Sequence, residues 1–141
     1  MISDDFRERK TVTLFHGHCR NLFDQIPDNE IALSITSPPY NIGKIYETRK
    51  ELDVYLKEIK TIIEQMHRVC SENGSICWQV GNYIHNKEVF PLDIYFYPIF
   101  KNLGMKLRNR IIWKFNHGLH AKVRMSGRYY GLQKVTNIHL I

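Results

Sequence analysis

No acidic residue follows Asp93. The 48 residues from 94 to the end hold Lys101, Lys106, Arg108, Arg110, Lys114, Lys122, Arg124, Arg128 and Lys134, a net charge of +9. The first 93 residues set the other 11 lysines and arginines against all 14 acids and carry −3. A face that needs only solvation mixes both signs, so a long acid-free stretch points to an anionic partner, phosphate above all. An exposed basic surface without a partner is the competing reading of the same residues.

Other absences narrow the field. Cys19, Cys70 and Cys77 are odd in number and contain no CxxC pair, which argues against both a disulfide framework and a zinc site. A reducing cytoplasm is the expected location. No apolar run approaches the length of a membrane span. The start, Met1-Ile2-Ser3-Asp4-Asp5, carries acids where a signal peptide would carry a basic and then an apolar region. No membrane partner is expected. There is no internal repeat, low-complexity tract or linker. A chain of 141 residues, 43% hydrophobic, has room for one domain with a core and hardly for two.

What is present alternates between strand and helix patterns. Thr11 to Phe15 alternates and is β-branched, which predicts a short strand. Asn21 to Ile26 predicts a short helix before the turn residues Pro27-Asp28-Asn29. Ile31 to Ile35 is nearly all apolar, the pattern of a strand buried on both faces in a parallel sheet. Leu52, Tyr55, Leu56, Ile59, Ile62, Ile63, Met66 and Val69 recur at helical spacing, and Asn73-Gly74 predicts the stop. Ser75 to Val80 predicts a strand, Pro91 to Asn102 a helix with Pro98 as a candidate kink, and Leu107 to Phe115 a further strand. After Phe115 the periodicity fades into a loop at His117 to Lys122. The alternation implies an α/β fold built on parallel strands with flanking helices.

The first buried strand stops at Thr36-Ser37-Pro38-Pro39-Tyr40-Asn41. Two consecutive prolines cannot continue a central strand, and in open α/β sheets ligands sit at the carboxyl ends of strands. A chain-reversing turn would explain one proline but not the whole string. The string resembles the (D/N/S)PP(Y/F/W) motif of the amino-directed DNA methyltransferases. The resemblance continues through Leu14-Phe15-His16-Gly17-His18-Cys19, Ile26-Pro27-Asp28, Asn73 to Asn82, Leu107 to Trp113, His117 to Lys122 and Ser126-Gly127-Arg128-Tyr129. It is nearly continuous from Thr13 to Tyr129, in the order of the subgroup whose catalytic motif precedes its cofactor motif. It implies a partial Rossmann-like methyltransferase sheet whose C-terminal part is missing.

The resemblance also implies roles. Ser37 supplies a side-chain acceptor and Pro38 a backbone carbonyl to the two protons of an exocyclic base amine. These bonds favour a pyramidal nitrogen whose lone pair points at the methyl of S-adenosylmethionine. Pro38 and Pro39 stiffen the loop, and Tyr40 stacks on a base flipped from double-stranded DNA. No proline is followed by cysteine, so the nucleophile motif of the carbon-5 cytosine enzymes is missing. Gly17, His18 and Thr36 fall at the cofactor side. Members of the family usually carry Gly-Asp where this chain has Gly17-His18, and histidine cannot reproduce the carboxylate as an acceptor. His16 and His18 have no carboxylate or cysteine at ligand spacing, so no metal is expected. Arg108, Arg110, Lys122, Arg124 and Arg128 are the expected DNA contacts, positioning the duplex through phosphates.

One part of the family pattern is missing. A Phe-x-Gly-x-Gly type loop, whose backbone approaches the cofactor at a helix start, does not occur in the sequence, so the S-adenosylmethionine motif is incomplete. Its absence predicts an open sheet edge with exposed apolar surface. Residues 1–129 read as the catalytic-motif half, and residues 130–141 as an atypical tail. One back-translation of Gly131 to Ile141, read one base earlier, encodes Trp-Phe-Thr-Lys and continues the family pattern. A small out-of-frame deletion near Tyr129 is therefore expected, which the gene sequence decides. Three readings follow: a methyltransferase fragment inactive unless a downstream fragment completes it, a non-catalytic basic DNA-binding module, and a non-functional remnant. Adenine is favoured over cytosine as the target, and a companion restriction enzyme is an expected partner.

Overall fold

The computed structural model describes residues 12–113 and 135–140. Lys114, Phe115, the loop from His117, and the expected DNA contacts Lys122, Arg124 and Arg128 lie outside the described residues. The elements run α1 (Cys19–Phe23), β1 (Ile31–Thr36), α2 (Leu52–Val69), β2 (Cys70–Val80), β3 (Asn82–His85), β4 (Glu88–Pro91), α3 (Leu92–Asn102), β5 (Leu107–Trp113) and β6 (Val135–Leu140). Four strands form one sheet in the order β1-β2-β6-β5, and β3 pairs with β4 in a hairpin.

The core lies between one sheet face and the two long helices. Tyr55, Ile59, Ile63 and Met66 of α2 and Leu92, Phe96 and Phe100 of α3 are buried with Ile76, Trp78 and Val80 of β2. The indole of Trp78 meets Phe96 and Phe100 edge-on, with centroids 5.8 and 5.6 Å apart. That arrangement favours the rings' quadrupoles as well as burying their area. Pro98 lies inside α3, which nevertheless runs unbroken to Asn102. Residue 94, whose carbonyl loses its helical partner to that proline, is exposed, so water can replace the bond.

Three expectations change. Of the stretch Thr11 to Phe15, residues 12–15 are described and do not form a strand: Leu14 makes one isolated bridge, and Val12 and Leu14 are exposed. The strand β1 is not buried on both faces. It pairs in parallel with β2, Leu33 beside Ser75 and Ile35 beside Cys77, which places both apolar side chains on the face away from the helices. Leu33 and Ile35 are exposed there, and among the described residues no strand pairs with the outer edge of β1. Nor is the sheet parallel throughout. The strand β6, from the tail, runs antiparallel to both β2 and β5.

Asn73-Gly74 also has a different job from stopping a helix. The helix α2 ends at Val69, and Cys70 is already extended. Gly74 falls where the β1–β2 register shifts between Ile31 and Leu33. A Cβ at Gly74 would lie 2.8 Å from the Ile31 carbonyl oxygen and 2.7 Å from Cys70 Sγ. Because a backbone atom must yield, Gly74→Ala is expected to destabilise the fold by about 1–3 kcal/mol. A shift of the urea midpoint to lower concentration checks it.

Candidate functional site

The site is built where β1 ends. Thr36 is the last residue of β1, paired beside Trp78, and the prolines that follow withdraw the chain from the ladder. Four contacts fix the loop they form. Ser37 Oγ and Tyr40 Oη share a hydrogen bond of 2.8 Å. Tyr55 Oη, from the buried face of α2's first turn, donates to the Pro39 carbonyl at 2.6 Å. Burial, and then the nearby Glu47 and Tyr40, push the Tyr55 hydroxyl well above the usual phenol range, so it stays protonated and remains a donor. The Tyr40 ring lies against Gly81, just past β2, where a Cβ would come within 2.9 Å of Cδ2. The fourth contact is the buried Asn41, whose side chain bridges the backbone N–H and carbonyl of Lys50, both at 2.7 Å.

Ser37 keeps acceptor capacity in this arrangement. A hydroxyl has two lone pairs and one proton, so accepting from Tyr40 leaves a second lone pair for an incoming donor. Gly81→Ala tests how closely the ring placement matters. The added methyl is expected to displace the Tyr40 ring and with it the bond to Ser37 Oγ, with little change in the unfolding midpoint.

A cavity of about 470 Å³ opens beside this loop, lined among others by His18, Thr36, Ser37, Pro38, Pro39 and Trp78. Its size is in the range of small-molecule sites. The segment that carries His18 is held in place by Arg68 of α2, whose guanidinium donates to the carbonyls of Phe23 at 2.7 Å and Ile26 at 3.1 Å and pairs with Asp28. His18 caps α1: its Nδ1 accepts from the Arg20 N–H at 3.2 Å. An aspartate at this position would cap in the same way, so the histidine preserves the helix start while removing a carboxylate from the cavity wall. Gly17 stands next to His18 rather than on the wall, and a Cβ there would meet the Phe15 ring at 2.8 Å.

The structure therefore brings together His18, Thr36 and the Ser37-Pro38-Pro39-Tyr40 loop. It does not bring Arg108 or Arg110 to the cavity. Arg110 on β5 is ion-paired with Asp93 of α3, and Arg108 lies near the start of the same strand, exposed. Among the described residues no cluster of three or more His, Cys, Asp or Glu could hold a metal, and no described helix is long and apolar enough to cross a membrane. Tyr55, Glu47, Gly81 and the Asn41 side chain were not among the expected site residues. Tyr55 was legible only as an apolar position on α2; its hydroxyl, a polar group on a buried helix face, was the signal for its second role.

Comparison with known proteins agrees with this architecture. Residues 31–137 match the N6_N4_Mtase family, DNA methylase. The Type II methyltransferase M.BglII from Bacillus subtilis is 46% identical over 129 residues, covering 91% of this chain and 36% of the relative. The fold is that of the cytosine-N4-specific PvuII DNA methyltransferase (TM-score 0.65, 17% identity, 89% of this chain and 46% of that one). It is equally that of TTHA0409 from Thermus thermophilus complexed with S-adenosyl-L-methionine (TM-score 0.67, 21% identity, 88% of this chain and 52% of that one). The chain thus spans about a third of the length of M.BglII and about half of each solved structure. The chain belongs to the N6_N4_Mtase family of DNA methylases.

Proposed function

We propose that this chain is the base-side half of an enzyme that transfers a methyl group from S-adenosylmethionine to an exocyclic amine in double-stranded DNA. The observation that carries the reading is one juxtaposition: Ser37 and Pro38, at the carboxyl end of β1, share a cavity wall with His18 and Thr36. Ser37 Oγ and the Pro38 carbonyl accept hydrogen bonds from the two amine N–H groups, so the nitrogen lone pair leaves the ring's π system. Tyr40, braced against Gly81, offers its face to the flipped base. Tyr55 holds the Pro39 carbonyl, so the loop is ordered before the base arrives.

The cofactor supplies an electrophilic sulfonium methyl when bound. Its fit here is to one wall: the cavity's mixed lining of Thr36, His18, Ile59 and Trp78 suits a nucleoside-bearing ligand, and Thr36 and His18 would hold it. The glycine-rich loop of the other wall comes from a segment outside this sequence, whether continuous with the chain or separate. Adenine N6 is the favoured target, with cytosine N4 the alternative. A Type II setting with a companion restriction enzyme, in the cytoplasm, fits the same reading.

Titration calorimetry with S-adenosylmethionine is the test, on the chain alone and with a polypeptide carrying the glycine-rich loop. Saturable binding that strengthens in the second mixture is expected. Saturable binding in neither overturns the enzyme reading. The acid-free charge of residues 94–141 favours one second reading, a non-catalytic DNA-binding module. It predicts DNA affinity that falls steeply with salt and no cofactor binding in either mixture.

A further inference from the structure

We infer that residues 41–50 form a DNA wedge, with Ile45 and Tyr46 entering the base stack to fill the space left by the departing base. The inference rests on the base-flipping reading above and adds a part to it. The loop starts at the last residue of the catalytic string and is closed at its neck by Asn41, 2% exposed, with φ of +59°. Its interior is tied to one carboxylate. Glu47 accepts from the N–H groups of Asn41 at 2.9 Å, Ile42 at 2.8 Å and Lys44 at 3.2 Å, and its own N–H donates to the Lys44 carbonyl at 2.9 Å. On the far side, the Arg49 guanidinium lies 5.1 Å over the Tyr83 ring and donates to the Ile84 carbonyl.

A loop held by this many charge-assisted bonds would be expected to present polar groups to water. This one presents Ile45, fully exposed, and Tyr46, 71% exposed. Both the tip and its surroundings match a duplex. Tyr46, Glu47 and Thr48 line the same cavity as Ser37 and Pro38, so the tip stands beside the place the flipped base would occupy. Lys44, exposed, stands beside the tip at a position suited to a phosphate next to a vacated step. Apolar side chains inserted between base steps are a general device of proteins that distort DNA. A rigid loop carries them better than a mobile one, because the ordering entropy is already spent.

Fluorescence anisotropy of the 141-residue chain with two duplexes tests this, one fully paired and one with a single abasic site. The abasic duplex offers the hole without the cost of unstacking. It is expected to bind about tenfold more tightly, and Ile45→Ala with Tyr46→Ala is expected to reduce that preference to about twofold or less. Tyr46→Phe, which keeps the ring, retains the preference, and the salt dependence set by phosphate contacts stays unchanged in all variants. A wild-type chain that binds both duplexes equally overturns the wedge alone. So does a double variant that keeps the preference, which would leave the tip to a protein contact. A chain with no salt-dependent DNA binding overturns the DNA reading and the wedge with it.

Discussion

Replacing Ser37 with alanine is expected to lower methyl transfer about 10²- to 10³-fold, measured with the chain completed by a polypeptide that carries the cofactor loop. In the function proposed above, the Oγ atom is the side-chain acceptor of the pair that draws the amine nitrogen out of conjugation. Its removal leaves the Pro38 carbonyl to hold one proton while the other stays unpaired, a loss felt most as the nitrogen pyramidalises. The defect is therefore in kcat, with the affinity for S-adenosylmethionine nearly unchanged. Stability should hold as well, since Ser37 is exposed and the Tyr40 hydroxyl that bonds to it can turn to water. Ser37→Asn, which restores a carbonyl acceptor, is expected to recover part of the rate. A Ser37→Ala enzyme within about twofold of the parent would remove Ser37 from the chemistry.

The largest stability effect is expected at Phe96. Its side chain is fully buried and touches the rings of both Tyr55, at 6.1 Å between centroids, and Trp78, at 5.8 Å. Truncation to alanine removes about 3–5 kcal/mol, a large share of the roughly 5–15 kcal/mol that small domains possess. The sheet's outer face, which carries exposed Leu33 and Ile35, contributes less than a covered face would, so the margin should be narrow. Urea unfolding followed by tryptophan fluorescence should show the midpoint of Phe96→Ala collapse toward zero denaturant. A midpoint within experimental error of the parent would mean that α3 is not part of the core. The consequence reaches the site, because Tyr55 packs on Phe96 and holds Pro39.

Much of this was legible in the sequence. The helical recurrence from Leu52 to Val69 and the apolar run before the two prolines depend on local periodicity, and both elements stand where the pattern puts them. The place of Ser37-Pro38-Pro39-Tyr40 just past the end of β1 was legible because two consecutive prolines cannot continue a central strand; the roles proposed for these residues came from the family resemblance. The β3–β4 hairpin was not. Its turn places Asn86 and Lys87 at positive φ, and without glycine it gives no compositional signal beyond the asparagine. The exposure of β1 depends on neighbours that local pattern cannot report. The clasp by Glu47 and Asn41 escaped for a similar reason. It is a set of side chain to backbone bonds across a loop, and such bonds follow no period. The pairing of Arg110 with Asp93 was not legible either, because it joins a strand to a helix that precedes it in the chain.

The most direct measurement is the fate of a labelled methyl group. The chain, supplied with a polypeptide carrying the glycine-rich loop, is incubated with labelled S-adenosylmethionine and mixed-sequence duplex DNA, which is then digested to nucleosides. Label is predicted in N6-methyladenine, with N4-methylcytosine as the alternative product of the same chemistry, and in neither when Ser37 is alanine. Label in 5-methylcytosine, or amine methylation that persists undiminished without the Ser37 hydroxyl, would contradict the assignment of Ser37-Pro38-Pro39-Tyr40 as the base-side catalytic loop.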